Sequence, residues 1–148
     1  MDLTKNYPRS AKDKLAGVVM IARTTDKAKG EVAGTIGEYH YNCPMDQAVF
    51  GFLGIDHEQF LDKVKNAKSE SEIESYVKTF ADKKAPQEIE QFNSHFVAYT
   101  PEPGSDGEKY FNELRAQVAP DRTDVTAWPD LLDLDEKREV PRRTAVAH

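Results

Sequence analysis

The stretch "YHYNCPMD", residues 39–46, gathers most of the side chains able to do chemistry, among them Cys43, the only cysteine of the chain. Pro44 suits the first position of a helix, where its missing N–H is not needed, so Cys43 becomes the N-cap and Asp46 falls near the positive end of the helix dipole. A thiol in that place meets free N–H groups and a favourable dipole, the general setting of a nucleophile. His40, three residues earlier, is the candidate base. Asp46 works against a second negative charge in the same turn. The alternative is a small buried cap, because free cysteine is among the most buried residue types.

Three further chemistries compete for the same region. His40 and Cys43 have an H-x-x-C spacing, and His57, His95 and Asp46 could add ligands, but a structural zinc site draws on paired cysteine or histidine motifs and none is present. No metal and no cofactor is therefore expected. "YPRSAKDK" sets Arg9 and Lys12 around Ser10 at what reads as a helix start, a geometry suited to phosphate or carboxylate, with Arg23 and Lys27 following on the same helix. The plainer alternative is a solvated, charge-mixed face. Tyr39 and Tyr41 alternate with His40 and Asn42 in an extended link. One pair could line a pocket, or the rings could be core with their hydroxyls on backbone partners.

The elements that must position these residues read as helices. Ser10 with Asp13 resembles a capping box, and Leu15, Val18, Val19 and Ala22 share one helical face. Periodicity fades after Arg23. A second helix runs from Pro44 to a stop at Gly54. Asp56 with Gln59, and Ser69 with Glu72, cap the next two, whose apolar stripes are Phe60, Leu61, Val64, Ala67 and Ile73, Tyr76, Val77, Phe80. Pro86 opens a fifth, and Ser105 with Glu108 starts a sixth carrying Phe111, Leu114 and Val118. A short helix around Pro129 docks Trp128, Leu131, Leu132 and Leu134. No strand pair is expected. The reading is an all-α, irregular single-domain bundle of about six helices over residues 1–134, with residues 135–148 a polar, mobile tail.

Bulk properties exclude several classes. The 148 residues carry a net charge of −6 and are 39% hydrophobic and 31% charged. A chain of this size buries roughly two-thirds of its unfolded surface without needing a disulfide or metal. The acidic balance argues against nucleic-acid binding, which needs a concentrated positive surface. One cysteine suits a reducing compartment. The first residues lack an apolar leader segment, and no run of about 18 apolar residues could span a membrane. A cytoplasmic protein is expected, with its oligomeric state undetermined.

"DLTKNYPRS", "DKLAG", "ARTTDKAKGEVAGTIGEYHYNCPMD", "FLGID" and the later "TDVTAWPDLLDLD" resemble a bacterial family defined only as a domain of unknown function. The resemblance implies a small, mainly helical protein and supplies no catalytic residue, cofactor or partner. Ala11 stands where relatives are expected to carry proline, a harmless change at a helix start. Three function classes stay open. The leading one is a non-catalytic module that binds a small anionic ligand or a protein partner, using Arg9, Ser10, Lys12, Arg23, Tyr39, Tyr41 and Asp46. The second is a thiol-dependent enzyme centred on Cys43 with His40. The third is a structural or oligomer-forming protein.

Overall fold

Ser10 and Asp13 do exchange hydrogen bonds as a cap would. The Ser10 N–H donates to the Asp13 carboxylate at 3.0 Å, and the Lys12 N–H donates to Ser10 Oγ at 3.1 Å. No helix follows. In the computed structural model, which describes residues 2–142, the chain forms a short antiparallel hairpin instead, β1 (Lys14–Leu15) and β2 (Val18–Val19). Ala16 and Gly17, between the strands, have φ of 55° and 81°. A two-residue hairpin loop of the I′ type requires positive φ at both positions, and this turn overrides the helical spacing of Leu15, Val18 and Val19. The expected helix start at Ser10 is therefore corrected: the first helix, α1, spans Ile21–Ala33. Asn93 clamps the hairpin, accepting from the Val19 N–H at 3.1 Å and donating to the Gly17 carbonyl at 2.9 Å.

The described residues hold seven helices: α1, α2 (Pro44–Leu53), α3 (His57–Asn66), α4 (Glu70–Ala81), α5 (Pro86–Val97), α6 (Asp106–Val118) and α7 (Trp128–Asp135). The fold is predominantly helical, and the starts of α2 to α6 are where local chemistry puts them. Asp56 accepts from the Gln59 N–H at 3.0 Å, and Ser105 accepts from the Glu108 N–H at 3.1 Å. Gly54 ends α2 with φ of 80°, a left-handed stop that glycine adopts without strain. No described helix is long and apolar enough to cross a membrane.

The chain divides into two compact units, residues 1–93 and 94–148, with the division inside α5. In the first unit α1 packs on the hairpin, α2 and α3, and α3 packs on α4. Phe60, Ile73, Val49 and Val77 are fully buried there, and Phe50 and Phe60 meet with ring centroids 5.2 Å apart. In the second unit α6 packs on α7, and Phe111, Val125 and Leu131 form an apolar cluster flanked by Leu114, Trp128 and Leu134. Over its described part the segment expected as a polar tail is engaged within this unit. Glu136 and Val140 are buried, and Arg122 donates to the Pro141 carbonyl at 3.2 Å. Residues 143–148 of that segment lie outside the described residues.

Candidate functional site

Eight consecutive residues of α1, Ile21–Ala28, are buried. That run includes "RTTDK", residues 23–27, so the solvated-face alternative for Arg23 and Lys27 is corrected. A helix can bury such a stretch only if each polar group finds a partner inside. Among the described residues no buried side-chain nitrogen or oxygen lacks a hydrogen bond.

The first set of partners joins α1 to the N-terminal segment and α4. Asp26 accepts from the Arg9 backbone N–H at 2.8 Å, from its Nε at 3.1 Å and from its Nη2 at 3.1 Å. The Arg9 guanidinium also donates to Glu70 at 2.5 and 3.2 Å, and Lys29 adds a bond to Glu70 at 3.2 Å. Burial disfavours the charge on Arg9, but its hydrogen bonds to Asp26 and Glu70 outweigh that and raise its pKa. In return, Arg9 holds the Glu70 carboxyl below its ordinary range, with Lys29 assisting. Arg23 donates to the Arg9 carbonyl at 3.1 Å and places its guanidinium 5.6 Å from the centre of the Tyr39 ring.

The second set joins α1 to the start of α2. Asp46, with no exposed surface, receives the Thr24 hydroxyl at 2.5 Å on one oxygen. Its other oxygen takes the Lys27 ammonium at 2.8 Å and the Cys43 N–H at 3.1 Å. Lys27, 3% exposed, also donates from Nζ to Cys43 Sγ at 3.2 Å. Cys43 as a residue is half-buried. The α2 start is thus a helix cap, as the sequence implies, whose acidic residue doubles as the counter-ion of a buried lysine.

Tyr41 and Tyr39 face different groups. Tyr41 donates to the His57 carbonyl at 2.6 Å and lies edge-on to Phe50 at 6.2 Å. Burial, followed by the charges of Asp46 and Asp56, pushes its phenol pKa up. A cleft of about 370 Å³ is lined by Asn42, Gln47, Gly51, Ile55, Asp56 and the two residues whose rings neighbour Tyr41, Phe50 and His57. No cation of the expected anion site forms its walls.

The structure therefore brings Arg9 and Arg23 together, brings Cys43 and Asp46 together, and places Tyr39 against Arg23. Ser10 and Lys12 share the turn that replaces the expected helix start. His40 is exposed, and the polar side chain set against the sulfur is Lys27. Lys27 beside the thiol and Thr24 on Asp46 are the participants that the sequence did not assign to this site. Their i, i+3 spacing puts both on one face of α1, which the sequence shows, but it does not say which neighbour that face meets. Residues 5–138 match the family model described as "Domain of unknown function (DUF5069)". No curated protein matches the chain.

Proposed function

The chain belongs to the DUF5069 family, a domain of unknown function, and we propose from the geometry around Cys43 that it has a thiol-dependent role. In this reading Cys43 is the nucleophile toward a small electrophile or oxidant. The observation that supports it is the buried Lys27 ammonium 3.2 Å from Sγ of a half-buried cysteine. A cation and the N-terminal amides of a helix are the general surroundings of reactive cysteines. The charge of Asp46, which would oppose the thiolate, is shared among Lys27, Thr24 and the Cys43 N–H. The cations of the anion-binding alternative are committed more deeply: an incoming anion would have to displace Asp26 and Glu70 from Arg9. A single free thiol suits a reducing compartment, which supports a cytoplasmic setting.

The test is the alkylation rate of Cys43 by iodoacetamide at neutral pH, measured in native and denatured protein. The native rate is expected to exceed the denatured rate, and Lys27→Gln combined with Asp46→Asn, a neutral pair, is expected to abolish the excess. A native thiol that reacts no faster than the denatured one would return Cys43 to the role of a cap.

A second reading, a protein-binding module, is favoured by one feature of the second unit. Tyr99 and Tyr110 are large exposed aromatics: the Tyr110 ring is 6.0 Å from that of Trp128, and the Tyr99 carbonyl accepts the Trp128 backbone N–H at 2.8 Å. Aromatic residues are enriched at protein interfaces. Sedimentation of the wild type and of Tyr110→Ser across a wide concentration range checks self-association; a monomer throughout would remove a second copy as the partner.

A further inference from the structure

The geometry points to a reversible covalent cross-link between Cys43 and Lys27, in which one oxygen atom bridges Sγ and Nζ when the protein meets a peroxide. This rests on the thiol-dependent reading above and names the regulation of that site.

The inference does not rest on the cysteine alone. Lys27 is a primary amine buried to 97% of its surface, and its Nζ lies against Sγ at 3.2 Å. Long lysine side chains ordinarily carry the ammonium to water, so a lysine held inward has its tip fixed by the groups around it. Here those groups are Asp46, at 2.8 Å, and the sulfur. Cys43 is half-buried, and its sulfur faces this amine.

The chemistry balances with peroxide as the oxidant. Sulfur attacks one peroxide oxygen, the O–O bond breaks, an S–O bond forms, and water leaves; the thiol is now a sulfenic acid. A second peroxide accepts one hydrogen from the S–OH group and one from Nζ as the O–N bond forms, and leaves as two waters. Overall the thiol and the amine lose four electrons and the two peroxides gain them. The extra proton of the Lys27 ammonium passes to Asp46, which already accepts a hydrogen bond from it. Asp46 is then a neutral acid, so losing its cationic partner does not strand a buried charge. A sulfenic acid left without such a partner goes on to the irreversible sulfinic acid. The neighbouring amine diverts it into a form that two equivalents of a dithiol, four electrons in all, reduce back to thiol, amine and water.

The experiment treats the full-length protein with hydrogen peroxide, blocks remaining thiols with iodoacetamide, digests it and analyses the peptides by mass spectrometry. The expected product joins the peptides bearing residues 27 and 43, with the mass of one added oxygen less two hydrogens. Its gain should match the loss of free thiol one for one and reverse fully with dithiothreitol. Lys27→Arg keeps a cation beside Asp46 but offers no amine, and should lose the cross-link while Cys43 proceeds to sulfinic acid. Wild type denatured before oxidation should show no cross-link, which keeps the test valid should the variant fail to fold. A thiol that alkylates rapidly yet gives only sulfinic acid, intermolecular disulfide, or a bridge to another lysine would overturn this inference and leave the thiol reading standing. A thiol inert to both reagents would remove that reading as well.

Discussion

Helix α1 and the core of the second unit solve burial in opposite ways. Around Phe111, Val125 and Leu131 the buried surface is apolar, and Phe111 meets Trp128 edge-to-face at 4.9 Å. Charges are buried in that unit too, but Arg122, Asp133 and Glu136 pair with partly exposed residues, Arg122 with Asp124 and the two acids with Arg138. In α1 the charges are themselves the buried surface, with Arg23, Asp26 and Lys27 each no more than 3% exposed. An apolar cluster tolerates repacking, because dispersion and the hydrophobic effect have little direction. A buried ion pair gains little net stability, but losing one member is costly because the other is left as an uncompensated charge. The first arrangement supplies stability, and the second fixes which groups stand next to which. That is the property a chemical site needs.

The comparison breaks most easily at Asp46. Asp46→Ala strands the Lys27 ammonium and should cost about 3–5 kcal/mol, read by thermal or urea unfolding followed by circular dichroism. Lys27→Met with Asp46→Leu removes both charges and should recover most of that loss. A double variant as unstable as the single one would mean that packing around these residues, and not the stranded charge, sets the cost.

Leu131→Ala probes the apolar side of the contrast. It should cost about 2–5 kcal/mol through lost burial and the cavity left behind. The single tryptophan, Trp128, packs on this cluster, so its fluorescence reads the transition locally. A change below 1 kcal/mol, well under that of about 2, would show a cluster able to collapse around the gap.

Tyr41 gives a smaller effect with a pH signature. Its folded phenol pKa is raised, so its contribution is complete below the ordinary value of 10.0 and is lost as pH rises from there toward the folded value. Tyr41→Phe should cost about 1 kcal/mol at neutral pH through the lost bond to the His57 carbonyl. It should also flatten the alkaline loss of stability, as measured by melting temperature against pH.

Glu70 gives the smallest effect. Its folded pKa is lowered, so its contribution is present above the ordinary 4.5 and is lost as pH falls through the lower folded value. With 39% of its side chain exposed, the Arg9 pair is partly screened, and Glu70→Gln should cost at most about 1 kcal/mol at neutral pH. The variant should lose less stability than wild type on acidification and less on adding salt. An unchanged acid profile would place the Arg9 anchor on Asp26 alone.

Helices α2 to α7 were legible because their signals are local. Pro44 after Cys43, Asp56 with Gln59, Ser69 with Glu72 and Ser105 with Glu108 act within a turn of the backbone, and each stands at the start of its helix. The segment before α1 was misread because its signals are local but ambiguous. Leu15, Val18 and Val19 satisfy a helical face and a two-residue hairpin equally well. What decides is Asn93, far along the chain, which holds the Val19 N–H and the Gly17 carbonyl. Helix α1 also lacks the usual start signal: its N-cap is Met20, with φ of 74° and no side-chain cap.

By itself, then, the sequence determined the helical class, most helix boundaries and the placing of Cys43 and Asp46 in one turn of α2, since these follow from propensities and caps spanning a few residues. Only the tertiary structure decided that "RTTDK" is buried, that Arg9 spends its charge on Asp26 and Glu70, and that Lys27 lies against Cys43. Charged side chains are ordinarily solvated, and whether they are buried depends on partners that long-range packing alone delivers. The thiol's neighbour comes from sixteen residues upstream on another helix, a distance across which no local spacing rule could have matched them.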